Sequence, residues 1–510
     1  MLAVVKSVGI LGLKGFAVDV EVDISRGLPS FDIVGLPDTS VKESKERVRA
    51  AIKNSGLKFP PGRITVNLAP ADLRKEGSVF DLPIAVGIMA ASGQLIGDSY
   101  KGYVYFGELS LDGSIKGIAG ILAIVMAARD KMSGAEVIVS PDNADEAALV
   151  DKVGVYPVHT LALLICFLNR QETVNRHRVD PEKLLAGASA GTAEDMADVR
   201  GHYRVKRALE VAAAGSHNIL MTGPPGSGKT MLARRMVNIM PKLSLQEALE
   251  VTKIYSISGL IRSETPLIVH RPFRSPHHNV SRSGMVGGGR TPRPGEISLA
   301  HHGILFMDEF PEFGKYTLEA LRQPVEDGRV LISRVNGSIE YPAKAMLVAA
   351  MNPCPCGFYG DESIECVCTP LQIARYRSRI SGPMMDRIDI FIEVQRVNYQ
   401  DISETSKGER SAKVKERIEK ARQIQRIRFA GTGVTSNSGM GSREVHDYCQ
   451  IGEKAATLIK EAFERLNLSA RAYHRILKVA RTIADLDGRE KISEDHMAEA
   501  IQYRNINRFC

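Results

Sequence analysis

Residues Asn218–Thr230 read NILMTGPPGSGKT. Asn218 to Met221 is an apolar strand. It runs into Gly223, Pro224, Pro225, Gly226, Ser227, Gly228, Lys229 and Thr230, and the helical stretch Met231 to Met240 follows. A glycine-rich turn between a buried strand and a helix lets backbone N–H groups close around phosphates. The lysine then supplies a point charge to the β/γ oxygens and the threonine hydroxyl a ligand for Mg²⁺. The octet therefore predicts a nucleotide site, with ATP and Mg²⁺ as cofactors, on an open α/β sheet.

Downstream, Gly303 to Met307 (GILFM) is a second buried strand, and it ends in Asp308 and Glu309. Carboxylates at the C-terminal ends of parallel strands face the crevice where such sheets hold ligands. Asp308 is expected to hold Mg²⁺, and Glu309 to polarise the water that attacks the γ-phosphate. From about residue 193 to about 397, helix, strand, glycine loop and helix recur, the order of a parallel sheet wrapped by helices. After Asn398 the pattern is helical to the end. Before Asn169 it alternates apolar runs and amphipathic segments, with Ala17 to Ile24 and Tyr103 to Phe106 as strands and Ser40 to Asn54 as a helix. The Gly/Ala/Ser stretch 187–191 reads as a connector. The expected layout is a domain over 1–170, a linker over 171–192, an ATPase core over 193–397 and a helical domain over 398–510.

The chain has 510 residues, 44% hydrophobic and 25% charged, which is too long for one core and has the balance of a globular protein. Lys and Arg number 67 against 59 Asp and Glu, a mild lean toward polyanions. Met1 to Ile10 has no basic region leading into an apolar h-region, and no apolar run reaches the roughly 18 residues of a membrane span, so a cytoplasmic chain with no membrane partner is expected.

Three segments concentrate positive charge. His270 to Gly295 carries Arg271, Arg274, Arg282, Arg290 and Arg293 with no acidic residue, interleaved with glycines. It is expected to be a flexible cationic loop suited to phosphate backbones, or else an ordinary surface loop. Asn336-Gly337 between alternating stretches predicts a hairpin with Arg334 near its tip. Ala412 to Ile427 is a basic helix, either along a nucleic-acid path or simply a solvated face. Cys354, Cys356, Cys366 and Cys368, four of seven cysteines, form C-x-C, nine residues, C-x-C. Four thiolates this close can close a tetrahedral Zn²⁺ site, although the one-residue spacing is tighter than usual, and free thiols are the alternative.

With these motifs placed, the chain resembles the magnesium-chelatase-like AAA+ proteins, most closely the ComM/YifB group of bacterial DNA-processing ATPases. The landmarks are SFDIVGLPD (30–38), RSPHH (274–278), VGGGRTPRPGEI (286–297), DEFPEF (308–313), NPCPCG (352–357) and SGPMMDRID (381–389). The resemblance covers nearly the whole chain. It implies an α/β P-loop AAA+ core and a C-terminal helical lid, preceded by a Lon-protease-like (S5 domain 2-like) N-terminal domain.

It also implies roles. Asn352 is similar to the sensor that orients the attacking water, Arg387 to the arginine finger serving a neighbouring subunit, and Arg471 to the second sensor in the lid; helix-end ion pairs are the alternative for Arg387. A finger acting in trans implies a homo-oligomeric ring, a hexamer in related motors. The hairpin at Arg334 and the loop at Arg282, Arg290 and Arg293 then become DNA-contact candidates. The positions of the Lon-type serine and lysine fall near Val79 and Leu122, so the protease dyad is absent, with Ser78 one residue off. The implied function is a helicase-type branch migration motor on single-stranded and branched DNA during natural transformation and homologous recombination. A protein-remodelling ATPase and a magnesium-chelatase motor subunit are the rivals.

Overall fold

The computed structural model describes residues 1–187, 194–289, 292–334, 337–396, 408–466 and 468–504, with the side chains of 334 and 337 outside the description. Arg290 therefore lies outside the described residues, as does the side chain of Arg334. The chain forms two compact units. The first comprises Met1–Gly187, Leu245–Val269 and Ser333–Glu340, and the second comprises Ala188–Ser244, His270–Ile332 and Tyr341–Cys510.

The first unit is built on seven strands: β1 (Leu2–Leu11), β2 (Lys14–Ser25), β3 (Ser30–Val34), β4 (Arg63–Ala69), β5 (Val104–Tyr105), β6 (Glu136–Val139) and β7 (Gly154–Pro157), ordered β3-β4-β2-β1-β5-β6-β7. Strict alternation explains β2 and β4. Val18, Val20 and Val22 on one and Ile64, Val66 and Leu68 on the other are fully buried, while the intervening polar residues face outward. The helix Thr39–Asn54 is capped by Asp38, whose carboxylate accepts from Val41 N at 2.8 Å, a contact worth about 1 kcal/mol. Asp81 opens the fully buried helix Asp81–Ala91 and is bound there by Arg47 and Ser44. The helix Leu245–Ile257 belongs to this unit and packs on the helix Ile121–Lys131, with Gly120 N donating to Ser256 O at 3.0 Å.

The second unit holds a five-stranded, fully parallel sheet: β8 (Ile219–Thr222), β9 (Phe273–Arg274), β10 (Ile304–Met307), β11 (Met346–Met351) and β12 (Ile390–Glu393), ordered β9-β10-β11-β8-β12. Strands β8, β10 and β11 are buried along their whole length, which is why they read as unbroken apolar runs. One core cluster joins these strands to the helices Tyr203–Gly215, Lys229–Ile239, Ser411–Arg428 and Ala470–Leu486. This is the α/β fold of a P-loop AAA+ core. The Asn-Gly hairpin forms from Arg329–Arg334 and Gly337–Pro342. Among the described residues no helix is long and apolar enough to cross a membrane.

Candidate nucleotide site and cysteine centre

The phosphate loop leaves β8 at Thr222, and its last turn is made possible by glycine. Gly226 and Gly228 have φ of +77° and +86°, and a Cβ on Gly223 would fall 2.1 Å from the Val394 carbonyl oxygen. Lys229 opens the following helix, almost fully buried. Its ammonium donates to Gly223 O at 2.7 Å, Pro224 O at 2.8 Å and Asn352 Oδ1 at 3.3 Å. Burial brings its pKa down to about 8, against the pull of Asp308.

Thr230 Oγ1 donates to Asp308 Oδ2 at 2.6 Å, so the two residues expected to hold Mg²⁺ are neighbours although 78 positions apart. Glu309 has a left-handed backbone, φ +52°, and a carboxylate open to solvent on one side. Its Oε2 lies 3.1 Å from His278 Nδ1. Asn352 follows β11 directly. The sheet thus brings together Lys229, Thr230, Asp308, Glu309 and Asn352 at the C-terminal ends of β8, β10 and β11. An oxyanion-binding lysine, two hydroxyl and carboxylate ligands suited to a hard divalent cation, and a free carboxylate beside them form a set fit for phosphoanhydride hydrolysis.

Arg387 sits at the opposite end of the sheet. Its carbonyl accepts from the Asn218 side chain at 2.9 Å, just before β8 begins, and its guanidinium binds Arg322 O at 2.7 Å and pairs with Glu326. The four residues of β8 separate this point from the phosphate loop by about 13 Å. Arg387 is therefore placed away from the loop of its own chain, and within the chain it closes an ion pair. Arg471 is exposed on the first turn of Ala470–Leu486, with no hydrogen bond or ion pair to the phosphate loop among the described residues. Further along the same helix, Arg475 pairs with Asp389, which is 5% exposed. Burial would raise the Asp389 carboxyl, but Arg475 and His217 hold it well below the usual carboxylate range.

The cysteines converge. Sγ–Sγ separations are 3.3 Å for Cys354–Cys356, 3.7 Å for Cys354–Cys366 and 3.6 Å for Cys356–Cys366, and all four sulfurs, Cys368 included, lie within 4.8 Å of one another. Tetrahedral Zn²⁺ with Zn–S of about 2.3 Å needs sulfurs about 3.8 Å apart. The donor set fits zinc, and the tight C-x-C spacing proves no obstacle. An amide donated by Phe358 holds the Cys356 thiol down to about 6, favouring the thiolate.

The loop expected to be flexible is instead ordered on both sides of residues 290–291. Arg282–Val286 is a short helix, and Gly287–Gly288 pairs with Arg293–Pro294. Gly287 serves close approach, since a Cβ there would meet Arg293 O at 2.6 Å. Arg271 is buried on the carbonyls of Pro241 and His302, and Arg274 forms a two-bond pair with Glu296 at 2.6 and 2.8 Å, so neither presents its charge to a ligand. Arg282 and Arg293 are exposed. In the basic helix, Arg417 is bound by Glu210 and Glu409 and Arg422 is buried, while Lys413 and Lys420 remain on the solvent side.

Sequence reasoning assigned no role to His278 beside Glu309. The RSPHH run marked the position, but only the fold shows which of its two histidines faces the carboxylate. It also missed the Asn218, His217, Asp389 and Arg475 network, whose members are scattered over more than 250 residues.

The family model described as magnesium chelatase, subunit ChlI, matches residues 195–402, with further matches to subunit ChlI of Mg-chelatase over 20–143 and to its C-terminal part over 408–504. Competence protein ComM of Haemophilus influenzae is 45% identical over 512 residues, covering 99% of this chain and 98% of that protein. The uncharacterized protein YifB of Salmonella typhimurium is 45% identical over 510 residues, covering 99% and 98%. The magnesium-chelatase 38 kDa subunit of Rhodobacter capsulatus is 24% identical over 190 residues, covering 33% of this chain and 53% of that one. The chain belongs to the ComM/YifB family of magnesium-chelatase-like AAA+ proteins.

Proposed function

We propose that this member of the ComM/YifB family is a ring-forming, ATP-dependent DNA motor that drives helicase-type branch migration during natural transformation and homologous recombination. The observation that carries the reading is the reach of the likeness. Identity to a protein named for competence spans 99% of the chain, whereas the chelatase subunit matches a third of it, which disfavours a porphyrin-metallating role. Exposed Arg282 and Arg293, between the two nucleotide motifs, supply the cations a phosphate backbone requires.

In this reading Gly223–Thr230 and Asp308 hold Mg²⁺ and ATP, and the cation neutralises charge on the transferred phosphoryl group. Lys229 exchanges its carbonyl partners for phosphate oxygens. Glu309, aimed by its left-handed turn and held by His278, accepts the proton of the attacking water, and Asn352 fixes that water's orientation. Arg387, unable to reach its own phosphate loop, serves the next subunit of a hexamer, and Arg471 closes from the helical lid. The four thiolates hold a structural Zn²⁺. The N-terminal unit is Lon-protease-like but inert, since Val79 and Leu122 are buried apolar residues and the Ser78 hydroxyl is bound to Glu108. The protein acts in the cytoplasm.

The test is the ATPase rate with and without single-stranded and branched DNA, for wild type and Lys229→Ala, at low and physiological salt. Several-fold stimulation by DNA, absent from the variant, supports the motor. No stimulation by any DNA shifts the assignment to protein remodelling.

A further inference from the structure

The cysteine centre is attached to the ATP site at both of its ends. Cys354 is two residues beyond Asn352, whose side-chain oxygen accepts from Lys229. Gly357, inside the first C-x-C turn, meets the phosphate loop directly: its φ is +89°, and a Cβ there would fall 2.6 Å from Pro225 Cδ. That turn is shaped by the sulfurs themselves, because Tyr359 N donates to Cys354 Sγ at 3.3 Å and Gly357 N to Cys354 O at 3.0 Å.

A second tie runs through Arg396. Its guanidinium lies 3.3 Å from Asp361 and 5.4 Å from the Phe358 ring centroid, both inside the cysteine-bounded segment. Arg396 follows Val394, whose N–H donates to Thr222 O at 2.7 Å and whose carbonyl faces Gly223. The segment is thus anchored to the entry of the phosphate loop as well as to its crown. Four thiolates without a metal repel one another once ionised, and with Zn²⁺ they close a rigid knot.

We infer that the metal-bound cysteine knot is a positioning prop for the phosphate loop, so that loss of the metal loosens nucleotide binding. The inference rests on the zinc reading given above, and it adds that Gly357 and Pro225 transmit the metal's presence to Lys229. Cys354, Cys356, Cys366 and Cys368 act as positioning residues, remote from the reacting atoms.

The experiment measures zinc content by elemental analysis and the affinity for a fluorescent ATP analogue. It compares wild type purified anaerobically, a Cys366→Ser/Cys368→Ser variant that leaves the sensor side untouched, and Gly357→Ala, which keeps every thiolate but forces a methyl group against Pro225. Expected are one zinc per wild-type chain, none in the double variant with cooperative unfolding retained, and an affinity roughly tenfold weaker in both variants, with zinc kept in Gly357→Ala. Wild-type protein free of zinc overturns the zinc reading itself. Zinc lost from the double variant with unchanged affinity overturns the prop alone. Should the double variant fail to fold, Gly357→Ala decides: full zinc and unaltered affinity there overturn the prop.

Discussion

The two ends of the parallel sheet are built on opposite terms. At the C-terminal ends of the strands, Lys229, Thr230, Asp308, Asn352 and Glu309 are polar, bonded mainly to one another and to loop carbonyls, and in part open to solvent. At the N-terminal ends, Asn218 ties three strands, its N–H to Asp389 at 3.1 Å, its Nδ2 to Arg387 O and its Oδ1 to Leu347 N at 2.9 Å. Asp389 there is fixed by Arg475, with His217 Nδ1 at 3.5 Å. One edge holds partners it can exchange for a ligand. The other holds buried partners it cannot give up, and it anchors the backbone of Arg387.

The contrast can be broken most forcefully at the closed edge. Asp389→Ala leaves Arg475 and His217 without their shared carboxylate, and a loss of about 3–5 kcal/mol of stability is expected from denaturant unfolding. A loss below about 1 kcal/mol, the worth of an ordinary hydrogen bond, would make the two edges alike. At the open edge the effect moves from stability to rate. Glu309→Gln is expected to slow hydrolysis by about 10²–10⁴-fold while retaining nucleotide binding and leaving stability within about 0.5 kcal/mol. Turnover at the wild-type rate would remove Glu309 from the chemistry.

Lys229 sharpens the comparison through pH. Its pKa is lowered to about 8 before nucleotide binds, so phosphate must restore a proton above that pH. Affinity should fall by up to about tenfold per pH unit above 8, levelling off toward the ordinary lysine value. Calorimetry in two buffers of different ionisation enthalpy should show close to one proton taken up at pH 9, and binding without uptake refutes the linkage. For the folded chain alone the sign is opposite. A lysine with a lowered pKa penalises the fold while charged, and the penalty is relieved as pH rises from about 8 toward the unfolded value. The smallest effect is expected from His278→Ala, about fivefold in turnover for one hydrogen bond, with nucleotide affinity unchanged. An equal loss in affinity would place His278 in binding rather than in orienting Glu309.

Much of the open edge was legible in the sequence because its chemistry is local. The phosphate loop is contiguous, and an apolar strand ending in two carboxylates announces its own position. Asn352 and Arg387 were reached only by resemblance, since their places depend on strands more than 120 residues from the loop. The closed edge was illegible because its members are ordinary polar residues, brought together by strand order. The cationic loop was misjudged for a specific reason. The stretch without acidic residues ended at Gly295, and the next residue, Glu296, is the partner that takes Arg274 out of use. Alternation gave the strands of the N-terminal unit, but nothing in the sequence indicated that Leu245–Ile257 would count with it.

That last assignment bears on how the chain is made. The helix Ile121–Lys131 is complete early in synthesis, while the helix that packs on it lies beyond residues 188–244. At about 5–20 residues per second the ribosome leaves this apolar face without its partner for roughly 3 to 11 s. The first 187 residues are thus an unfinished unit on the ribosome, sealed only once the start of the ATPase core has emerged behind them.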